Sequence, residues 1–328
     1  MLYSLVSVNI SGLSGNRYRC QGIKSINLLP QRVSVISAAG DESISIKIAQ
    51  ILDAQFVSAE VRVFSDGESK IRIPVKVEDS ALIVQSTSPP TDSNLMKLLM
   101  IAAKCFQDGC RNICAVVPYL AYARQDRVFL DGEIATVTLV SRLLEAAGIR
   151  HVITVDIHSE RAVSCFNIPM TNVSAIPLLA AYAKNIPLVK PTVISPDSGG
   201  ENRAKQFADI LETDSFSLKK NRSRETGDVT ISNDHNLNVT DRDCIIVDDM
   251  ISSGASIVEA ANLLKKNGAK SIIAACTHAL LVGDAADRIK SAGVEEIIAT
   301  NSVAGPYSKV DLSSTIAETA RVHCLELA

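Results

Sequence analysis

The chain has no tryptophan, and aromatic residues make up only 4% of it, so its cores must be built from Ile, Val, Leu and Ala. It has no Cys-x-x-Cys pair, and eight cysteines in 328 residues are too sparse for a disulfide scaffold. Cys105, Cys110 and Cys114 lie close together, but no nearby histidine completes a zinc set. Most cysteines sit in apolar stretches, as buried thiols do in a reducing compartment, and a cytoplasmic location is the expectation. No apolar run approaches the ~18 residues of a membrane span. Neither sign of charge dominates: 33 Lys and Arg face 36 Asp and Glu, a formal charge of -3, which argues against nucleic acid or an anionic membrane as partner. Neither Gly-x-x-x-x-Gly-Lys-Ser/Thr nor Gly-x-Gly-x-x-Gly occurs, so a P-loop and a dinucleotide fingerprint are both unsupported. Acidic residues are missing before Asp41, where Ser4, Ser7, Ser11, Ser14, Arg17, Arg19 and Lys24 are scattered. That segment reads as a transit peptide, as an extension without function, or as a small strand over Tyr3–Ile10; no amphipathic arginine face marks it.

What is present is an alternation. At about 150 residues per domain the length suggests two domains, and a hydrophobic fraction of 47% suffices for sizeable cores. Val33–Ser37 reads as a strand, and Ile44, Ile48, Ile51 and Leu52 follow at helical spacing. Ala81–Val84, Ile113–Val117 and Val152–Ile157 repeat the strand signal, with helices around Leu95–Phe106 and Thr136–Ala147. After Pro177 the pattern restarts with Thr192–Ser195, Cys244–Val247 and Ser271–Ala275, again separated by helical segments. Continuously apolar strands between helices imply parallel sheets covered on both faces. The expected fold class is therefore α/β, with two doubly wound parallel-sheet domains over 33–176 and 177–328. Residues 1–32 form an extension, and the last helix is able to pack back on the first domain.

Ligands of such sheets bind beyond the carboxyl ends of the strands. In Cys244-Ile-Ile-Val-Asp-Asp-Met-Ile-Ser-Ser-Gly-Ala-Ser256 an apolar strand runs into Asp248 and Asp249, then a small-residue loop, then a helix. Small residues let backbone N–H groups close round a phosphate, and paired carboxylates hold vicinal hydroxyls or a hydrated cation. An ordinary strand–turn–helix corner needs only one capping Asp. Val152–His158 reads as a strand that carries Asp156 and His158 on one face, a plausible hard-cation site, although by itself a capped loop histidine explains it as well. Asp197 follows Val193-Ile-Ser195 in the same manner. Arg124, Gln125 and Arg127 follow the Ile113–Val117 strand, where arginine forks suit phosphate and a surface charge cluster is the plainer explanation. Asp66-Gly67 reads as a tight turn between Val61–Phe64 and Ile71–Ile73. Lys219–Asp228 reads as a polar, mobile loop at a hairpin tip, with four cations able to close on a polyphosphate.

The Cys244–Ser256 segment resembles the phosphoribosyl-diphosphate binding motif of the type I phosphoribosyltransferase fold. Within that fold the chain resembles the ribose-phosphate pyrophosphokinase family. Phe64–Glu68, Tyr122–Arg127, Asp156–His158, Ser195–Gly200 and Thr300–Ser302 match its motifs in order, from about Val33 to Arg321. The resemblance implies transfer of the β,γ-diphosphate of ATP to the 1-hydroxyl of ribose 5-phosphate with magnesium, giving AMP. It implies His158 and Asp197 as magnesium residues, and Asp248, Asp249, Ser252, Ser253, Gly254, Ala255 and Ser256 as ribose 5-phosphate residues. It implies Phe64, Asp66, Gly67, Glu68, Arg124, Gln125 and Arg127 as ATP residues, the first four supplied by a neighbouring subunit. A homo-oligomer with the ATP site near a subunit interface follows. Lys220 and Arg222 fit the catalytic spacing, Arg222 also touching ribose 5-phosphate, with Lys219 one residue away as the alternative.

Two departures stand out. Ser253-Gly-Ala-Ser256 replaces the family's usual Thr-Gly-Gly-Thr, and Ser252 lies where many relatives carry an acid. Two rivals share the features: a phosphoribosyltransferase using the same loop, and a non-catalytic regulatory homologue. The joint presence of His158, Asp197, Lys220, Arg222 and Asp248 favours catalysis over the second.

Overall fold

The structure is a computed structural model and describes residues 32–38, 42–222, 229–232 and 238–325; the expected strand Tyr3–Ile10 lies outside them. In chain order the elements are β1 (Val33–Ser37), α1 (Ser43–Leu52), β2 (Gln55–Ser58), β3 (Glu60–Val63), β4 (Ser69–Arg72), β5 (Ser80–Val84), α2 (Thr91–Gln107), β6 (Asn112–Val117), α3 (Thr136–Ala146), β7 (His151–Val155), α4 (Glu160–Ser164), β8 (Met170–Val173) and α5 (Ile176–Ala183). There follow β9 (Thr192–Ser195), α6 (Glu201–Leu211), β10 (Asp214–Ser217), β11 (Lys219–Arg222), β12 (Val229–Ser232), β13 (Asp243–Ile251), α7 (Ala255–Lys266), β14 (Ser271–Ala279), α8 (Ala285–Ser291), β15 (Glu296–Thr300), β16 (Ser308–Val310) and α9 (Ser313–Ala320).

Two six-stranded sheets result, in the orders β2-β1-β5-β6-β7-β8 and β10-β9-β13-β14-β15-β16. Every neighbouring pair in both is parallel. Each sheet starts in its interior, winds one way for a single strand, then returns and winds the other way. The reversal falls between β1 and β5 in the first sheet and between β9 and β13 in the second. Strands buried on both faces form these centres: β1, β5 and the first five residues of β13 are buried throughout. Edge strands such as β2 are half exposed, which is why no continuous apolar run announces them.

Helices fill three layers. Ile44 and Ile48 of α1, Leu179 of α5, Phe207 of α6 and Ile316 of α9 pack in one apolar cluster with β-strand residues of both sheets, among them Ile153 and Ile245. The outer face of the first sheet is covered through Leu98 and Ile101 of α2 and Leu144 of α3; that of the second through Ile257 and Leu264 of α7 and Ile289 of α8. Phe207 is wholly buried in the shared layer, where truncation to Ala costs about 3–5 kcal/mol.

Polar contacts tie the two sheets together at their carboxyl edges. Fully buried His278 on β14 faces the Val155 carbonyl at 3.0 Å and Ser302 Oγ at 2.8 Å. Only Nε2–H donates to a carbonyl, so Nδ1 is the acceptor of a neutral ring; burial lowers the pKa of His278 below the ordinary histidine value. Ser86 Oγ donates to the Ser302 carbonyl, and Thr277 Oγ1 donates to Asp156. Thr300–Ser302 therefore belongs to this bridge. The C-terminal segment also docks on early elements: Lys47 Nζ pairs with Asp311, Arg321 Nη2 donates to the Ile51 carbonyl, and Asn112 Nδ2 donates to the Cys324 carbonyl.

Two hairpins stand outside the sheets, β3-β4 and β11-β12. The polar loop expected over Lys219–Asp228 is corrected in its first four residues, which are strand: Lys220 lies opposite Ile231 and Arg222 opposite Val229. The β-branched partner strand, Val-Thr-Ile-Ser, accounts for the pairing; residues 223–228 lie outside the described ones. Among the described residues, no helix is long and apolar enough to cross a membrane.

Candidate active site at the second switch point

The winding reversal of the second sheet opens a crevice between the ends of β9 and β13, the place where doubly wound sheets collect ligands. β13 brings Asp248 and Asp249 there. Asp249 is 6% exposed, and His158 Nδ1 approaches its Oδ2 at 2.8 Å while the Met250 N–H donates to its Oδ1. Asp248 is less enclosed and accepts the Asp249 N–H on Oδ1. Arg203, in the first turn of α6, reaches both: Nη1 lies 3.4 Å from Asp248 Oδ1 and Nη2 3.8 Å from Asp249 Oδ2.

The pair titrates unevenly. Burial and the adjacent Asp249 charge push the Asp248 carboxyl well above the ordinary carboxylate value. Burial also pushes Asp249 upward, but the His158 hydrogen bond and the Arg203 charge outweigh it and hold Asp249 below that range.

After β13 the chain turns through Ser252–Gly254 into α7. Gly254 has φ +77°, and a Cβ there would lie 2.9 Å from Ile289 Cδ1. Only glycine serves: the left-handed backbone and the buried Ile289 both exclude a side chain. Arg288 Nη2 fastens the loop by donating to the Ser253 carbonyl at 2.7 Å. α7 begins without a capping side chain, and its dipole directs partial positive charge at the loop.

Asp197 enters from β9. Its Oδ1 accepts the Gly199 and Gly200 N–H groups at 2.9 and 3.2 Å, and its carbonyl accepts from Ser195 and Ser217 hydroxyls. Gly200 permits this turn, since a Cβ would fall 2.4 Å from Ser195 Oγ. His158, Asp197, Asp248 and Asp249 line two adjoining cavities. One, of about 220 Å³, includes Arg124 and the 252–256 loop; the other, of about 530 Å³, includes Ser198–Gly200 and Arg203.

Asp156 is elsewhere. β7 ends at Val155, so strand alternation does not carry on to His158. Asp156 takes φ +36°, and its Oδ2 accepts from Thr277 Oγ1 and from the Ala175 N–H. The face shared by Asp156 and His158 that the alternation predicts is therefore not formed. Arg127 lies in a third cavity with Arg161, its guanidinium over the Phe129 ring at 5.0 Å and beside Asp126. Gln125 is exposed, its carbonyl accepting the Val137 N–H. Phe64–Glu68 forms the exposed β3-β4 turn, with Gly67 at φ +94° and the Glu68 N–H donating to Asp66 Oδ1. It lines neither cavity of the site.

Magnesium favours oxygen donors in octahedral geometry. Among the described residues, no three His, Cys, Asp or Glu side chains converge at metal-binding distance, so a cage made wholly of protein is not built. A hard cation that keeps most of its water and takes phosphate oxygens does fit, since such ions need only one or two protein ligands.

Comparison with known proteins decides the family. Residues 33–148 match the N-terminal domain of ribose phosphate pyrophosphokinase, and residues 197–325 match the phosphoribosyl synthetase-associated domain. The chain is 36% identical over 288 residues to ribose-phosphate pyrophosphokinase of Methanothermobacter thermautotrophicus, covering 88% of this chain and 99% of that one. It belongs to the ribose-phosphate pyrophosphokinase family. The enzyme of that name from Methanopyrus kandleri is 38% identical over 273 residues, 83% of this chain and 93% of the relative. Phosphoribosylpyrophosphate synthetase from Mycobacterium smegmatis superposes with a TM-score of 0.79 at 28% identity, over 89% of this chain and 98% of that structure.

Arg203 and Arg288 are the residues that sequence reasoning misses. Arg203 looks like any cation on an amphipathic helix. Its one local signal is position: a cation in a helix's first turn opposes the dipole, so a carboxylate partner is needed to hold it there.

Proposed function

We propose that this member of the ribose-phosphate pyrophosphokinase family is catalytic, transferring the β,γ-diphosphate of ATP to the 1-hydroxyl of ribose 5-phosphate and releasing AMP. The observation that carries the reading is the convergence of Asp248, Asp249, His158, Asp197 and Arg203 beside the 252–256 loop. Asp249 is engaged by His158 and Arg203 and orders the tip. Asp248, with its looser partners, is the acceptor for the sugar hydroxyls. Ser252, Ser253, Gly254, Ala255 and Ser256 take the 5-phosphate at the start of α7. His158 and Asp197 hold magnesium, which when bound neutralises charge on the ATP oxygens.

Arg124 shares the smaller cavity with these groups and is the ATP contact nearest the sugar. Phe64–Glu68 is exposed and lines neither cavity of the site, which supports its serving the adenine site of a neighbouring subunit in a homo-oligomer, with Gln125 and Arg127. Lys220 and Arg222, on the β11 arm, stabilise charge developing at the β-phosphorus. Among the described residues, no side chain in the cavity is placed as a strong dedicated base, so positioning and electrostatics carry the rate.

The test is incubation with ATP, magnesium and ribose 5-phosphate, scoring AMP against ADP. AMP with 5-phosphoribosyl 1-diphosphate is the expected outcome. ADP alone indicates ordinary phosphoryl transfer, and no turnover by a protein that still binds nucleotide indicates a regulatory homologue. Pyrophosphate release from 5-phosphoribosyl 1-diphosphate and a base, without AMP formation in the first assay, indicates a phosphoribosyltransferase.

A further inference from the structure

The two sheets share one winding order, and so each has a switch point. The second carries the site described above. The first, between β1 and β5, opens into a cavity of about 730 Å³, a volume typical of small-molecule sites. Its walls come from both sheets: Ser37 and Val84 at the ends of β1 and β5, and Leu281 and Val303 after β14 and β15.

Its chemistry differs from that of the second switch point. Lys97 is the one charged group among the described residues that line it. Where β13 carries Asp248-Asp249, β5 runs on into Gln85-Ser86. Neither a carboxylate nor an imidazole is available among the described lining residues, so nothing there holds a metal or charges a sugar diol. The surroundings are instead arranged for an anion. α1 and α2, of 10 and 17 residues, both begin at this cavity without a capping side chain. Asp92 in the first turn of α2 is taken up by the Tyr122 hydroxyl and does not line the cavity, and the helix dipoles point positive charge into it.

A second, independent feature points the same way. Ser37 and Ser45 line the cavity and are only 3% and 1% exposed. No described hydrogen bond engages either hydroxyl, so both are available to a ligand in the cavity. Lys97 Nζ has only the neutral Asn94 Oδ1, at 3.1 Å, as its described partner. Facing these donors is an apolar wall that includes Pro89, Leu281 and Val303.

We propose that this cavity is a second binding site, for a small phosphate monoester with an apolar body, bound without metal. The phosphate sits between Lys97 and the Ser37 and Ser45 hydroxyls, near the starts of α1 and α2, and the body lies against the apolar wall. The inference rests on the cavity alone and not on the reaction proposed above.

Phenyl phosphate is a suitable probe, titrated calorimetrically into the full chain without ATP or magnesium. Binding with a Kd on the order of 1 mM or tighter is expected. Lys97→Ala should weaken it at least about tenfold through loss of a charged hydrogen bond. Ala304→Trp, which fills the cavity from an exposed lining position, should abolish it. Both variants should keep the wild-type urea midpoint, because Lys97 is half-buried and Ala304 exposed. Equal affinity in all three proteins would place the probe elsewhere and overturn the proposal, as would no binding at about 10 mM. Phenol binding as tightly as phenyl phosphate would remove the anion subsite, and inorganic phosphate binding as tightly would remove the apolar one; either result overturns the assignment. No turnover enters the readout, so failure here and failure of the proposed reaction are separate events.

Discussion

Replacing Arg203 with Met keeps the apolar stem of the side chain and deletes the charge that faces Asp248 and Asp249. The side chain is only 19% exposed, so solvent screens these contacts less than it screens a surface pair. At 3.4 and 3.8 Å the contacts are longer than the best charge-assisted bonds, which contribute about 1.5–3 kcal/mol. We therefore expect Arg203→Met to lower unfolding free energy by about 2 kcal/mol at pH 7, measured by urea denaturation of the ligand-free protein. The loss should depend on pH with a definite sign. Asp249 is held below the ordinary carboxylate value, so its pairing stabilises the fold above that value, near 4, and the advantage is lost as pH falls through the folded value. The gap between wild type and variant should therefore shrink toward pH 3. A variant as stable as wild type at pH 7, or a gap that does not change with pH, would show that Arg203 serves packing and not the carboxylate pair.

Gly254→Ala forces a left-handed backbone on a residue with a Cβ, costing about 1–2 kcal/mol, and drives that Cβ against buried Ile289; a total loss of about 2–4 kcal/mol by urea denaturation, with weakened ribose 5-phosphate binding by calorimetry, is expected. His278 resists protonation when folded because it is buried, so the unfolded chain takes up a proton that the folded chain refuses. Stability should fall as pH drops below about 6.5, by up to about 1.4 kcal/mol per unit, and denaturation of His278→Gln between pH 7 and 5 should lack that part of the slope. Lys220→Ala and Arg222→Ala should each lower kcat for AMP formation by about 10²–10³, with ribose 5-phosphate affinity nearly unchanged for Lys220→Ala. Lys219→Ala should be milder in the same assay, and the reverse ranking would shift the assignment by one residue.

Legibility in the sequence followed burial. Strands covered on both faces leave an apolar run that few other structures produce, and so β1, β5, β6, β13 and β14 could be read directly. Edge strands leave no such mark: β2 has one buried residue in four positions, and β16 has three residues. Asp248 and Asp249 were visible because a charge pair at the end of an apolar run is anomalous within a short window. Arg203 was not, because its reason for being there is 45 residues away, on a strand of the sheet. The Asp156–His158 reading failed for a local reason. Alternation is a property of extended backbone, and the chain leaves that conformation at Asp156.

The two switch points show what winding order decides and what it leaves to the residues. The same strand sequence of second, first, third, fourth, fifth and sixth appears in both sheets, and each time the backbone diverges between first and third strands and leaves a crevice. Position is thus a consequence of topology. Chemistry is not. Toward the end of the third strand the second sheet has Asp-Asp, with His158 and Arg203 drawn in to balance the charge. The first sheet has Gln85-Ser86 in that place and no ion pair among its described lining residues, so its polar groups are neutral hydroxyls and amides with a single ammonium nearby. A carboxylate pair attracts cations and hydroxyls; hydroxyls backed by helix N-termini attract anions. One architecture repeated within the chain therefore presents opposite electrostatic preferences at equivalent places, and a substitution that moved an acid into Gln85 should abolish anion binding at the first crevice while leaving its shape intact.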